Sequence, residues 1–263
     1  MSFFIVRSIK TARGESHMRG WFFKQEFSEN AQKLYDLLYT KNFDKDELIA
    51  QLASGVFSAD DIDMAAYSYV DNCGEAEFEA RVNNLFDGIA FGELVPGIES
   101  SHLVEAVKIL LDYGMDPNRL FEYDDDSGHA NIMLALAFVF NGYQAADAAA
   151  EILSRGGNPS LIVDDASLIR ELNFELLYCI RGDEEFRYYS DSVAHYWMVF
   201  IGYGAKLENG GESVEPYKDF NISLLRNHRQ YYYGMVRSER YKGDMDICFF
   251  DKDTNREVVR YYL

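Results

Sequence analysis

The sequence predicts a mainly α chain: an α-solenoid of stacked helix pairs, closed by a small C-terminal antiparallel β-sheet. Three observations predict it. First, an apolar helical run ending in Gly and then Asp/Asn-Pro occurs twice. The copies are Ile109-Leu110-Leu111-Asp112-Tyr113-Gly114-Met115-Asp116-Pro117-Asn118 and Glu151-Ile152-Leu153-Ser154-Arg155-Gly156-Gly157-Asn158-Pro159-Ser160, and Val199–Glu208 is a looser third. Gly accepts the left-handed conformation that ends a helix, and Pro cannot continue one. Second, Pro96, Pro117, Pro159 and Pro216 all fall between helical patterns. Third, after Pro216 the pattern becomes aromatic and β-branched. One repeated unit cannot bury its apolar face alone, so repetition implies stacking.

The elements follow in order. Ser28 caps a helix whose apolar face is Ala31, Leu34, Tyr35, Leu37 and Leu38. Asp46–Ala53 is the next, stopped by Gly55. Ser58, Asp60 and Asp61 open a helix with the stripe Ile62, Ala65, Ala66, Tyr69 and Val70, and their charges suit its positive end. Glu75–Phe91 reads as a separate helix, and residues 92–100 as a loop. Ser100 or Ser101 caps the helix that ends at Gly114. Ile132–Val139 is an apolar inner helix, Asn141-Gly142 a turn, and Ala145–Arg155 an Ala-rich partner. Ala166–Arg181 and Ser190–Tyr203 make the following pair, with a short helical stretch at Lys218–Leu225. Tyr231–Val236, Met245–Phe250 and Glu257–Tyr262 read as a three-stranded meander, turning near Gly243 and at Asp251–Asn255.

The organisation expected is therefore an N-terminal segment 1–27, helical repeats over 28–216 and a C-terminal unit, 217–263, packed on the last repeat. Within the first segment, Met18 is a candidate start, with the residues before it an addition or a strand.

The chain has 263 residues, 48% hydrophobic and 26% charged, an ordinary globular balance. Its formal net charge is −19, a field that repels phosphate backbones and anionic lipid. Nucleic acid and membrane are thereby disfavoured as ligands, and a protein with a basic surface patch is the natural complement. Acidity that serves only solubility is the plain alternative. Cys73, Cys179 and Cys248 have neither disulfide nor zinc spacing and read as reduced and buried, as in the cytoplasm.

The runs Ala106–Asn118 and Ala150–Pro159 resemble the second helix and exit turn of ankyrin repeats, and the layout resembles divergent bacterial ankyrin-like proteins of uncharacterised function. The resemblance covers about Glu75–Leu207. The Thr-Pro-Leu-His opening is absent, with Ser127-Gly128-His129-Ala130 in its place. From Gly114 to Gly156 is 42 residues and from Gly156 to Gly204 is 48, against an ankyrin period of about 33. The resemblance implies binding of another protein through fingers and inner helices, and it carries no catalytic residues.

Sites were sought on the same sequence. None of the five histidines has metal-helix spacing, and no phosphate loop, dinucleotide fingerprint or nucleophile elbow occurs. In the ankyrin register, three successive inter-repeat fingers are acidic: Asp124, Asp125 and Asp126; Asp164 and Asp165; Glu208, Glu212 and Glu215. These eight are the expected partner-binding residues, with no cofactor and no metal. The function expected is a non-enzymatic protein-interaction module, more narrowly an immunity or inhibitor protein masking a basic site. The alternative is an enzyme whose site lies between helix pairs around His129 or His195, which otherwise read as structural. A structural segment of a larger assembly is a third class. Tyr231, Tyr232, Tyr233, Tyr261 and Tyr262 form either an exposed patch or, by alternation, a packed layer.

Overall fold

In the computed structural model, the described residues are 27–86, 102–122, 128–137, 139, 143–164, 166–167, 190–205, 214–240, 242–243 and 245–262. They form seven α-helices and eight strands. The helices are α1 (Glu29–Leu38), α2 (Lys45–Ala53), α3 (Ala59–Phe86), α4 (Leu103–Asp112), α5 (Ile132–Leu136), α6 (Gln144–Ser154) and α7 (Ser190–Gly202). Two short hairpins, β1 (Phe121–Glu122) with β2 (His129–Ala130) and β3 (Ile162–Val163) with β4 (Ala166–Ser167), interrupt them. A four-stranded antiparallel sheet follows, in the order β5 (Val214–Pro216), β8 (Glu257–Tyr261), β7 (Met245–Asp251), β6 (Tyr231–Arg237).

Local chemistry sets the helix ends. Ser28 Oγ accepts from the Ala31 amide, Asp44 from Asp46 and Glu47, and Asn131 from Met133, satisfying amides that a helix start leaves orphaned. At the other ends, Gly114, Gly156 and Gly204 take φ of +96°, +105° and +93°. The amide after each reaches back five residues: Met115 to Leu110 O, Gly157 to Ile152 O and Ala205 to Phe200 O, each 3.0 Å. These are three copies of one capping motif. The two exit turns are also tied together. Asn118 Nδ2 donates to Gly156 O at 3.0 Å, and the Asn158 amide donates to Asn118 Oδ1 at 2.7 Å.

In the helical part, α1 packs on α3, α3 on α4 and α5, α4 on α6, and α6 on α7. Helix α7 is apolar all round; Val193 through Ile201, His195 included, are buried. It lies between α6 and the C-terminal unit. Trp197 stands edge-on to Phe249 (5.3 Å) and Tyr261 (4.7 Å) of the sheet. A Cβ at Gly202 would meet the Arg226 amide at 2.6 Å, so glycine admits the following segment.

The expected mainly α solenoid is not what forms. The architecture is mixed α/β, with no clear solenoid. The units are too unequal for one: α3 has 28 residues and α5 has 5. The helices expected on either side of Gly74 are one helix, α3, running through it. The apolar run after Asn131 breaks at Ala137. Ala166-Ser167 is strand where a helix start was expected, and residues 168–181 lie outside the described residues. Lys218–Leu225 is not α-helix; 3₁₀ turns at Ile222–Arg226 and His228–Gln230 occupy the region. The sheet has a fourth strand, β5, which puts part of the expected repeat region into the C-terminal unit. Leu110 is buried completely, but Leu111 only partly, so it is not the core residue its place in the run implied. Tyr231 and Tyr261 are buried and Tyr232, Tyr233 and Tyr262 half-buried, so the five form no fully exposed patch. The segment 1–26 and its Met18 start lie outside the described residues.

Candidate functional site

The two small hairpins carry the first acidic runs. In β1–β2, Glu122 pairs with His129, and Phe121 with Ala130. The residues joining the strands include Asp124, Asp125 and Asp126, which lie outside the described residues. In β3–β4, Val163 pairs with Ala166. Asp164 opens the turn at φ +50°, a left-handed conformation that Asp tolerates; Asp165 lies outside the described residues.

His129 clamps one hairpin to the other. Its backbone amide donates to Asp164 Oδ2 at 2.8 Å, and its ring Nδ1 lies 2.6 Å from Asp164 Oδ1. Its Nε2 is 3.8 Å from Glu122 Oε1. Contact is close enough that a Cβ at Gly128 (φ +145°) would run into the Asp164 carboxylate. Asp164, expected to face a partner, is therefore hydrogen-bonded within the chain, while its side chain stays 44% exposed. Two large apolar side chains are exposed beside these strands: Ile162 of β3, 62% exposed, and Leu120 just before β1, 37% exposed. Below the hairpins, Arg119 links to Asp63 at 3.0 Å and also to Asp60.

The third acidic run is elsewhere. Glu215 lies in β5, opposite Arg260, so it belongs to a sheet strand rather than to a loop between helix pairs. Glu208 and Glu212 lie outside the described residues.

Of the two histidines in the enzyme alternative, His129 is the partly exposed clamp and His195 is buried. His195 on α7 meets His228 of the second 3₁₀ turn, Nδ1 to Nδ1 at 3.3 Å. His228 Nε2 is 3.0 Å from Asp147 Oδ1 of α6, and Arg229 reaches Asp147 Oδ2 at 2.5 Å. Burial raises the Asp147 carboxyl, but the hydrogen bonds from His228 and Arg229 outweigh it and hold it down at about 2. Tyr143 stands edge-on to both imidazoles at 4.5 and 5.7 Å, with the Arg229 guanidinium 5.0 Å above its ring. Asp147, His228 and Arg229 were missed by the sequence reading. The available signal was Asp147 itself, an acid inside the Ala-rich run 145–150.

A second polar group lies on the sheet face opposite Trp197. Arg260 forks onto Glu257 at 2.7 and 2.9 Å and stands 3.6 Å from Asp246. Asp246 is completely buried, and among the described residues neither of its carboxyl oxygens has a hydrogen bond. Burial, with the neighbouring Glu257, pushes the Cys248 thiol up to about 12.

Among the described residues, no group of three or more His, Cys, Asp and Glu is arranged to hold a metal ion. Nor is any helix there long and apolar enough to cross a membrane. No protein-family model, no curated protein and no solved structure matches this chain, so the ankyrin resemblance rests on the two runs that carry it.

Proposed function

We propose that the protein is a non-enzymatic interaction module that binds a basic protein through the edge formed by its two small hairpins. The observation that carries this reading is the His129–Asp164 clamp. It sets the two acid-bearing hairpins side by side with exposed Ile162 and Leu120 among them. An apolar centre ringed by charge is how protein interfaces are built. Glu122 and Asp164 are the acids described at this edge; Asp124, Asp125, Asp126 and Asp165 fall by sequence in the stretches that join the same strands. Glu208, Glu212 and Glu215 contribute to the wider acidic field. The chain's net charge of −19 supports a basic protein over nucleic acid or membrane as partner. Masking the basic site of a toxin or nuclease is the narrower form of the same function. The buried free thiol of Cys248 supports a reducing, cytoplasmic setting. The burial of His195 and His228, at 1% and 3% exposure, supports a structural role for that pair over a catalytic one.

The test is association kinetics with a partner captured on the immobilised protein. Replacing Asp124, Asp125 and Asp126 with Asn is expected to slow association and flatten its salt dependence, because rim charges act mainly on the encounter rate. Ile162→Asp is expected to speed dissociation by removing the apolar contact. Rates unchanged in both variants overturn the proposal.

A further inference from the structure

The C-terminal sheet has two margins, and they are built differently. At one, β5 is three residues long and ends in Pro216, which blunts it. At the other is β6, seven residues without proline or lysine, paired with β7 in unbroken register. Among the described residues, β7 is the one strand beside it.

The register tells which backbone groups of β6 face outward. Tyr231 stands opposite Asp251, and one step earlier the Lys252 amide donates to the Gln230 carbonyl at 3.0 Å. Bonded and non-bonded pairs alternate along an antiparallel ladder. Tyr232, Gly234 and Val236 therefore bond β7, while Met235 and Arg237 aim their amides and carbonyls away from it. The same two are the exposed residues of the strand, and Met235, 43% exposed, is a large apolar side chain. Outward backbone groups beside an exposed apolar side chain are what an added strand pairs with.

Charge selects the added strand. The whole chain carries −19, yet residues 217–263 hold nine Lys and Arg against seven Asp and Glu. Two copies that approach through this unit escape the repulsion their other surfaces would impose. Strand β6 itself contains a single charge, Arg237.

We propose that β6 is a homodimer interface: β6 of a second copy adds antiparallel across a two-fold axis at Met235, joining the two sheets into one. On the axis, Met235 pairs with Met235 of the second copy, and the two exchange their outward backbone bonds. Arg237 then falls opposite Tyr233 of the second copy, so no like charges face each other. The contact is isologous and uses both β6 margins. What remains at each end is the blunted β5, so assembly closes at two chains.

The experiment is sedimentation equilibrium of the full chain over a concentration series. The mass is expected to rise with concentration from 30.2 kDa to twice that value. In hydrogen exchange over the same series, the Met235 and Arg237 amides are expected to slow as the dimer forms, with the Gly234 and Val236 amides protected throughout. Met235→Pro removes an N–H that β7 does not use, and is expected to leave a folded monomer. Met235→Lys sets two like charges face to face on the axis, and is expected to abolish the dimer as well. An equal mixture of Met235→Lys and Met235→Glu is expected to restore it. If circular dichroism shows Met235→Pro unfolded, the Lys and Glu variants decide. A wild-type mass fixed at one chain at every concentration overturns the proposal. So does a dimer that the Lys variant retains, or a mixture that stays monomeric.

Discussion

Asp147→Asn tests the polar junction directly, because it keeps the shape of the side chain and removes its charge. The wild-type carboxyl is held near 2 against a usual 3.8. At about 1.36 kcal/mol per pKa unit, that difference amounts to roughly 2.4 kcal/mol. The side chain is 29% exposed, so solvent screening brings the usable contribution to about 1–2 kcal/mol. The sign follows from the direction. A carboxyl depressed in the folded state stabilises above its unfolded value, and that stability is lost as pH falls from about 3.8 through about 2. Asp147→Asn is expected to lose the 1–2 kcal/mol at pH 5 and above and to show a shallower decline between pH 4 and 2. The assay is denaturant unfolding at a series of pH values, read by Trp fluorescence, since Trp197 reports on the α7–sheet contact. If the variant's stability runs parallel to wild type through that interval, the ionised carboxylate does not hold the junction.

Two further outcomes are expected. Leu110→Ala, at a site with no exposure, should cost about 2–5 kcal/mol, while Leu111→Ala at its partly exposed neighbour should cost clearly less; equal midpoints in chemical unfolding would show that the face of α4 is misassigned. Cys73 and Cys248 are buried and the Cys248 thiol is pushed up to about 12, so at pH 8 neither should react with a thiol reagent until the protein is unfolded. Rapid labelling of either in the native protein, read by mass spectrometry, would contradict that placement.

What the sequence made legible was local. Gly114, Gly156 and Gly204 marked helix ends because the left-handed cap is decided within six residues, whatever the surroundings. Strands β6, β7 and β8 were visible because aromatic and β-branched residues, and the turn residues between them, act locally. The misreadings lie where tertiary contact overrides local preference. Glu75–Phe91 looked like a separate helix, yet α3 runs on to Phe86 with Gly74 buried inside it, although glycine costs a helix about 1 kcal/mol. Strand β5 is three residues ending in Pro216, too short and too irregular to announce itself, and it exists because β8 offers an edge. The hairpins β1–β2 and β3–β4 have two-residue strands, which carry no periodicity at all. At the candidate site the acids were readable as composition, but the His129–Asp164 bond spans 35 residues. The His195–His228 contact spans 33 and depends on how the sheet docks against α7.

Asp246 also bears on how strand β7 finds its place. Along β7, Ile247 and Phe249 share the face that meets Trp197, while Asp246 and Cys248 share the other with Arg260. A slip of one residue against β6 or β8 would turn every side chain over. Asp246 would enter the aromatic layer and Phe249 would leave it. A mispaired sheet would then bury a carboxyl far from the Arg260 guanidinium, a cost that an apolar residue at the position would not impose. The carboxyl without hydrogen bonds contributes little to the strength of the native sheet. Its effect is on fidelity: it penalises the wrong alignments of three aromatic and β-branched strands that would otherwise pair in several ways.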